Sequence, residues 1–299
     1  MQDLLILGGG VAGLTAAIYA TRARLSATLL EAAMPGGQAL ETAQVENYPG
    51  VPDTDGVTLT MTMMKQAKDL GADIRTAAVT GLSPAQGGYT VTTNRGKFTA
   101  RAVIVATGAS HRTLDIPGEE RLRGHGVSYC ATCDGRFFKG QTVAVIGGGN
   151  TAAEEALYLA RLCGTVVLVH RREELRASRV LQERLEAAEN IRICRSARPL
   201  SIEGDERVSG LRLATPAGEE TLSVNGVFVA VGLRPNSDPF PALPKDENGF
   251  LLADEDGVTA LPGVFAAGDV RAKRCRQLIT AAGDGAAAAM AAERYLAGE

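Results

Sequence analysis

Leu4-Leu5-Ile6-Leu7-Gly8-Gly9-Gly10-Val11-Ala12-Gly13 decides the fold, because the chain carries the pattern twice. The second copy is Val143-Ala144-Val145-Ile146-Gly147-Gly148-Gly149-Asn150-Thr151-Ala152. In each, a short apolar run stops at glycines and gives way to an alanine-rich helical stretch. A second apolar run follows, Ala27-Thr28-Leu29-Leu30-Glu31 in the first copy and Val166-Val167-Leu168-Val169-His170 in the second. Gly8 and Glu31 stand as far apart as Gly147 and His170. Short, continuous apolar runs bounded by glycine read as buried parallel strands. The repeat therefore reads as strand, glycine turn, helix, strand, twice over.

Working outward, each unit closes on another apolar run that stops at glycine: Ala102–Ala106 before Thr107-Gly108, and Gly226–Val231 before Gly232. Gly88–Thr92 and Val208–Leu213 read as strands of small antiparallel crossovers. Ile116-Pro117-Gly118-Glu119 and the four-proline stretch Arg234–Pro244 read as linkers. The remaining tail offers a strand at Gly263–Ala266 and a helix from about Arg276, with a glycine-rich turn at Gly283–Gly285 opening the Ala-rich part. It is too short to be a domain, and it is expected to return to the first unit. The expected division is 1–113 with 243–299, and 114–242 inserted between them. A chain of 299 residues is consistent with two domains.

The glycine spacing carries chemistry. Gly8-x-Gly10-x-x-Gly13 places a tight turn between strand and helix, lets backbone N–H groups approach a pyrophosphate, and aims a helix N-terminus at its charge. Gly147-x-Gly149-x-x-Ala152 repeats it with alanine in the third position. The strand ends separate the two sites. Glu31 can accept hydrogen bonds from ribose hydroxyls and would repel a 2′-phosphate. His170-Arg171-Arg172, with Arg176 one turn on, offers guanidinium groups to such a phosphate. The first site thus suits the adenosine ribose of FAD or NAD, and the second prefers NADPH to NADH. Two dinucleotide sites imply a relay in which NADPH gives hydride and FAD passes electrons on.

The acceptor is sought at Ser128-Tyr129-Cys130-Ala131-Thr132-Cys133-Asp134-Gly135. A Cys-x-x-Cys spacing permits a disulfide within one turn and lowers one thiol pKa. A purely structural disulfide is an open alternative at this point. Zinc would need four ligands, and there is no second such pair; no metal is expected. Asp134 can protonate a leaving thiolate or the reduced flavin, or simply shape the turn before Gly135. Of the other cysteines, Cys163 and Cys194 follow apolar stretches and read as core thiols, and Cys275 as incidental. Met61, Met63 and Met64 read as packing residues.

The composition narrows the partners. A net charge of −3 leaves no nucleic-acid footprint. No apolar run reaches the roughly 18–20 residues of a membrane span. The N-terminus lacks a basic region ahead of its apolar run, so a secretory leader is not expected. Five scattered cysteines do not make a secreted disulfide framework, and a cytoplasmic setting is expected.

Taken together the motifs resemble the low-molecular-weight bacterial thioredoxin reductases along nearly the whole chain. The matching pieces include the two fingerprints, Pro35-Gly36-Gly37-Gln38, Val45-Glu46-Asn47-Tyr48-Pro49-Gly50, Ala106-Thr107-Gly108, the Cys130–Asp134 block, His170 to Arg176, Gly263–Asp269 and Arg276-Gln277. Ala39 departs from the leucine common in that family. The resemblance implies an α/β chain of two Rossmann-like three-layer dinucleotide-binding domains, one for FAD and one for NADPH. It assigns contacts with the flavin cofactor to Gln38, Asn47, Asp269, Arg276 and Gln277. Thr107 and Gly108, with Asn150 and Thr151 in the second fingerprint, join the expected cofactor contacts. Cys133 matches the sulfur nearest the flavin, Cys130 the sulfur that attacks the protein substrate, and Asp134 the acid/base. The implied partner is thioredoxin, the implied assembly a homodimer, and the implied motion a rotation of the NADPH domain about hinges at Thr113–Pro117 and Arg234–Pro244. A related reductase serving a glutaredoxin-like or peroxidase-linked partner is the alternative.

Overall fold

The computed structural model describes residues 1–42 and 44–299. Among them lie six α-helices: α1 Val11–Arg22, α2 Gly56–Asp69, α3 Ala131–Asp134, α4 Asn150–Leu159, α5 Arg179–Glu186 and α6 Leu278–Ala297. The chain forms two compact units, Met1–Ser110 with Arg234–Glu299, and His111–Leu233. Among the described residues no helix is long and apolar enough to cross a membrane.

The first unit is built on the strand Gln2–Leu7, which runs parallel to Ala27–Glu31 on one side and Gly96–Val105 on the other. Asp73–Thr76 adds to the outer edge of Ala27–Glu31, and Val264–Ala266 from the tail adds to Gly96–Val105, both in parallel. Alternate side chains enter different cores, as the two-residue period of a strand requires. Leu4 and Ile6 pack with α1, α2 and α6. Leu5 and Leu7 pack on the opposite face, against Tyr89, Val91, Phe240 and Leu251. That second face is covered by Gly88–Thr93 and Val79–Ala85, an antiparallel hairpin on the first half of Gly96–Val105. The sheet is buried on both sides, which is why its strands read as unbroken apolar runs.

The second unit repeats the plan. Its parallel sheet runs Ile191–Cys194, Thr165–Val169, Thr142–Ile146, Gly226–Val229, Val127–Ser128. Val143, Val145, Val166 and Leu168 face α4, while Ala144, Ile146, Val167 and Val169 face an antiparallel layer containing Ile202, Leu211 and Leu213. That layer is Arg198–Glu203, Gly210–Thr215 and Gly218–Ser223, so the strand read at Val208–Leu213 starts and ends two residues later.

The compact units change over at Ser110/His111 and Leu233/Arg234, where the sequence reading put 113/114 and 242/243. The segments passing between the units, Ala109–His111 and Leu233–Pro235, pair as strands, and the prolyl stretch after them is packed, with Phe240 and Leu243 buried. Prolines there fix a buried path. In the tail, Gly283–Gly285 do not open the helix. α6 begins at Leu278, where Gln277 and Thr280 form a reciprocal capping box. Gly285 lies inside it because a Cβ there would sit 2.1 Å from the Ala12 carbonyl oxygen, so its lack of a side chain lets α6 pack closely on α1.

Candidate active site

The first glycine turn leaves room only for glycine at two of its three key positions. A Cβ on Gly8 (φ +108°) would lie 2.3 Å from the Ala106 carbonyl oxygen, and one on Gly13 would lie 1.9 Å from the Gly8 carbonyl oxygen. Beside Gly10 the space is open: the nearest atom to a Cβ there is 3.9 Å away. Gly10 caps α1 in an extended conformation with no side-chain hydrogen bond, so the helix presents its first-turn amides outward. Glu31 reaches back to this turn, its Oε2 accepting from the Gly9 N–H at 2.6 Å and its Oε1 from Ala33 N–H at 3.1 Å.

Distant residues converge within the same unit. Asn47 Nδ2 donates to Gln277 Oε1 at 3.2 Å across 230 positions of sequence. Gln38 donates through Nε2 to the Ala109 carbonyl. Arg276 donates to the Lys273 carbonyl at 2.8 Å and lies over the Phe250 ring, 4.2 Å from its centroid. Burial pushes the Asp269 carboxyl up, while Lys273 and Arg276 draw it back down. Arg276 Nε is buried and makes no hydrogen bond, while Asp269 Oδ1 has Lys273 Nζ at 3.3 Å. Buried polar groups rarely go unsatisfied. This unpaired guanidinium nitrogen, the glycine cradle and the uncapped helix start fit a bound dinucleotide, whose hydroxyl and phosphate groups would supply the missing partner. Thr107 Oγ1 donates to the Asn236 carbonyl at 2.7 Å, and the Gly108 carbonyl accepts from Asn236 N–H at 3.0 Å.

In the second unit the turn at Gly147–Gly149 is laced to the segment after His170. The Gly148 carbonyl accepts from the Arg176 and Ala177 N–H groups at 2.7 and 3.0 Å, and Asn150 Oδ1 accepts from Ser178 N–H at 2.8 Å. His170 occupies the place of Glu31 but is turned inward. It is 5% exposed and its ring lies against Gly148, where a Cβ would fall 2.2 Å from Nδ1. Its Nε2 pairs with the Glu174 carbonyl at 3.1 Å, and burial holds its pKa below the usual value. Arg171, Arg172, Arg176 and Thr151 are exposed. No ion pair among the described residues engages any of the three guanidinium groups, an arrangement open to an anion.

The cysteines close a disulfide, with the Cys130 and Cys133 Cα atoms 5.3 Å apart. The pair straddles the start of α3, where the Cys130 carbonyl accepts from the Cys133 and Asp134 N–H groups at 3.2 and 3.1 Å. Ser128, at the end of its strand, ties the turn together. Its hydroxyl accepts from Cys130 N–H at 3.1 Å and donates to Asp134 Oδ2 at 2.6 Å. Burial raises the Asp134 pKa, against the opposing pull of the Ser128 bond.

Two groups at this site were not read from the sequence. Glu155 on α4 has its carboxylate against the Ala131 backbone amide, and burial pushes its pKa up to about 7. Its Oε2 is buried without a hydrogen bond. The signal was present: Glu155 falls in the buried helical stripe Ala152, Ala156, Leu159. Glu119, 3% exposed, gathers the Leu114 and Asp115 N–H groups at 2.9 Å and the Tyr129 hydroxyl at 2.8 Å. Tyr129 is stacked on His111 and immediately precedes Cys130. Burial first, and then Arg123, hold the His111 pKa down at about 4.

Residues 2–285 match the family model of the pyridine nucleotide-disulphide oxidoreductases. A thioredoxin reductase of Listeria monocytogenes is 44% identical over 300 residues, covering 99% of this chain and 94% of that protein. One from Treponema pallidum is 43% identical over 297 residues, covering 98% and 97%. The crystal structure of thioredoxin reductase from Streptococcus pyogenes superimposes with a TM-score of 0.95 at 39% identity, covering 100% of this chain and 99% of that one.

Proposed function

The chain belongs to the pyridine nucleotide-disulphide oxidoreductase family, and from that premise we propose that it is a thioredoxin reductase in which NADPH, FAD and the Cys130–Cys133 disulfide relay electrons to a thioredoxin. The observation that carries this reading is the closed Cys130–Cys133 bond beside the buried Asp134, joined to near full-length likeness to thioredoxin reductases.

The first unit would hold FAD through Gly8, Gly10, Gly13, Glu31, Gln38, Asn47, Asp269, Arg276 and Gln277. The second would hold NADPH through Gly147, Gly149, Asn150, Thr151 and the three exposed arginines, with His170 supporting the turn from beneath. When bound, the two groups supply hydride transfer and its conversion to electrons that sulfur can take. The residues of the chain do the rest. Opening the Cys130–Cys133 bond takes up two electrons and two protons and yields two thiols. Burial favours the protonated form of Asp134, which would place a proton donor beside the pair. The Cys130 thiolate attacks one sulfur of the partner's disulfide, and a mixed disulfide forms as the partner's other sulfur leaves. The Cys133 thiolate then attacks Cys130 Sγ, which re-forms the internal disulfide and releases the reduced partner.

A homodimer working in the cytoplasm is part of this reading. So is a domain rotation, with its pivot moved from where the sequence put it. Glu119 binds the Leu114 and Asp115 amides and makes Thr113–Pro117 part of the second unit. The turn is better placed at Ala109–His111 and Leu233–Pro235.

The test is an anaerobic NADPH titration followed by a coupled assay with thioredoxin. Bleaching of a yellow flavin, about two new thiols per chain and turnover abolished by Cys130→Ser are expected. A colourless protein, or a disulfide left intact by excess NADPH, would overturn the assignment.

A further inference from the structure

Four charged side chains meet at the foot of α6, and three of them lie outside the flavin contacts already proposed. Arg271 Nη1 is 3.1 Å from Asp284 Oδ1, Lys273 Nζ is 3.0 Å from Asp284 Oδ2, and the same Nζ is 3.3 Å from Asp269 Oδ1. Asp284 Oδ2 also accepts from the Gly268 N–H at 3.0 Å. The side chains of Arg271, Lys273, Asp284 and Asp269 are only 9%, 13%, 16% and 27% exposed. Two cations face two anions, so the cluster is neutral as a whole.

Such a cluster is a poor way to gain stability. Desolvating charges offsets most of their mutual attraction, and a well-packed apolar set is often as stable. Its geometry shows what it does hold. Asp284, two turns into α6, fixes the backbone of Gly268, which turns at φ +75°, and Lys273 bridges Asp284 to Asp269. A Cβ at Gly268 would come within 2.8 Å of Ala12 Cβ, so the fixed turn sits against α1, the helix that opens at the first glycine fingerprint. Asp269 Oδ1 is ion-paired with Lys273, and Arg276 Nε makes no hydrogen bond.

We infer that Arg271, Lys273 and Asp284 are positioning residues that hold Gly268 and Asp269 in place for the hydroxyl and phosphate groups of the flavin nucleotide. The inference rests on the flavin reading given above. Asp284 sets the turn, and Lys273, 3.3 Å from Asp269 Oδ1, steadies the Asp269 carboxylate beside it. Asp284 satisfies the backbone and the two cations, and the Asp269 carboxylate and the unpaired Arg276 Nε are left to the nucleotide.

Titration of apoprotein with FAD, read by quenching of flavin fluorescence, tests it alongside the melting temperature of each apoprotein. Lys273→Met and Asp284→Asn should each weaken FAD binding at least tenfold. The double variant removes charge in balance, so its apoprotein should melt near the wild type while FAD binding stays at least tenfold weaker. Arg294→Leu, which breaks the exposed pair with Asp256, should change neither. If a single variant fails to fold, the double variant decides. A double variant that binds FAD as tightly as wild type would overturn the inference alone. Wild-type apoprotein that bound no FAD would remove the flavin reading and this inference with it.

Discussion

Glu155 lies with its carboxylate against the backbone amide of Ala131, the residue that follows Cys130, and no charged side chain among the described residues pairs with it. Burial raises its pKa from the ordinary 4.5 to about 7. The folded protein therefore binds a proton that the unfolded chain has already released over that interval. Stability from this group is fully present below pH 4.5 and is lost as pH rises through about 7. Glu155→Gln removes the charge and keeps the shape. It should be more stable than wild type at pH 8 by on the order of 2–3 kcal/mol, with the gap closing near pH 5. Thermal melts at the two pH values check this; equal melting temperatures at pH 8 would contradict the burial of an ionising carboxyl.

Arg171 and Arg172 are exposed, and no acid among the described residues pairs with them. Replacing both with glutamine should raise the KM for NADPH by roughly tenfold or more per arginine, since a charge-assisted hydrogen bond contributes on the order of 1.5–3 kcal/mol. The KM for NADH should move little, because it lacks the 2′-phosphate. Steady-state assays with both nucleotides decide it, and equal increases would remove the arginines from the nucleotide site.

What was legible in the sequence and what was not follow from how the signals arise. Leu4–Leu7 and Val143–Ile146 announce buried strands because both of their faces are covered, so every residue is apolar. The glycine spacing at Gly8 and Gly13 is legible because contact with backbone oxygens leaves no room for any other residue. His170 was read as a ligand by analogy with Glu31. Position alone does not say which way a ring turns, and the missing side chain at Gly148 lets it turn inward. Glu119 and Glu155 escaped notice because a lone glutamate reads as a solvated surface group, and only tertiary packing buries it. The Arg234–Pro244 stretch looked like a linker because proline count says nothing of where Phe240 and Leu243 point.

Gly10 and Gly13 offer a contrast between room for the chain and room for a ligand. Alanine at Gly13 would place its Cβ 1.9 Å from the Gly8 carbonyl oxygen, so the turn itself must shift. Alanine at Gly10 meets nothing closer than 3.9 Å and suits the extended backbone there. Gly10→Ala should fold with a melting temperature close to wild type yet retain little flavin after purification, whereas Gly13→Ala should lose both stability and flavin. Absorbance of bound flavin per chain, set beside a thermal melt, separates the two. Full flavin content in Gly10→Ala would mean that the ligand does not pass over this glycine.

Asp134 directly follows Cys133 of the disulfide and is the proposed acid. Its carboxyl is buried, accepts a 2.6 Å bond from Ser128 and has a raised pKa. If it serves as the acid for the departing sulfur, only its protonated form works, and thioredoxin reduction should decline as pH climbs through its raised pKa. Asp134→Asn keeps the contact with Ser128 but cannot give up a proton. It should slow turnover on the order of 10²–10⁴-fold and flatten that alkaline decline, while reduction of the flavin by NADPH keeps its wild-type rate. Cys130→Ser supplies the reference, since it should abolish thioredoxin turnover at every pH. Stopped-flow flavin reduction and steady-state thioredoxin assays as a function of pH make the comparison. An Asp134→Asn variant with wild-type turnover and an unchanged pH profile would leave Asp134 as a shaper of the turn and move the proton to another group.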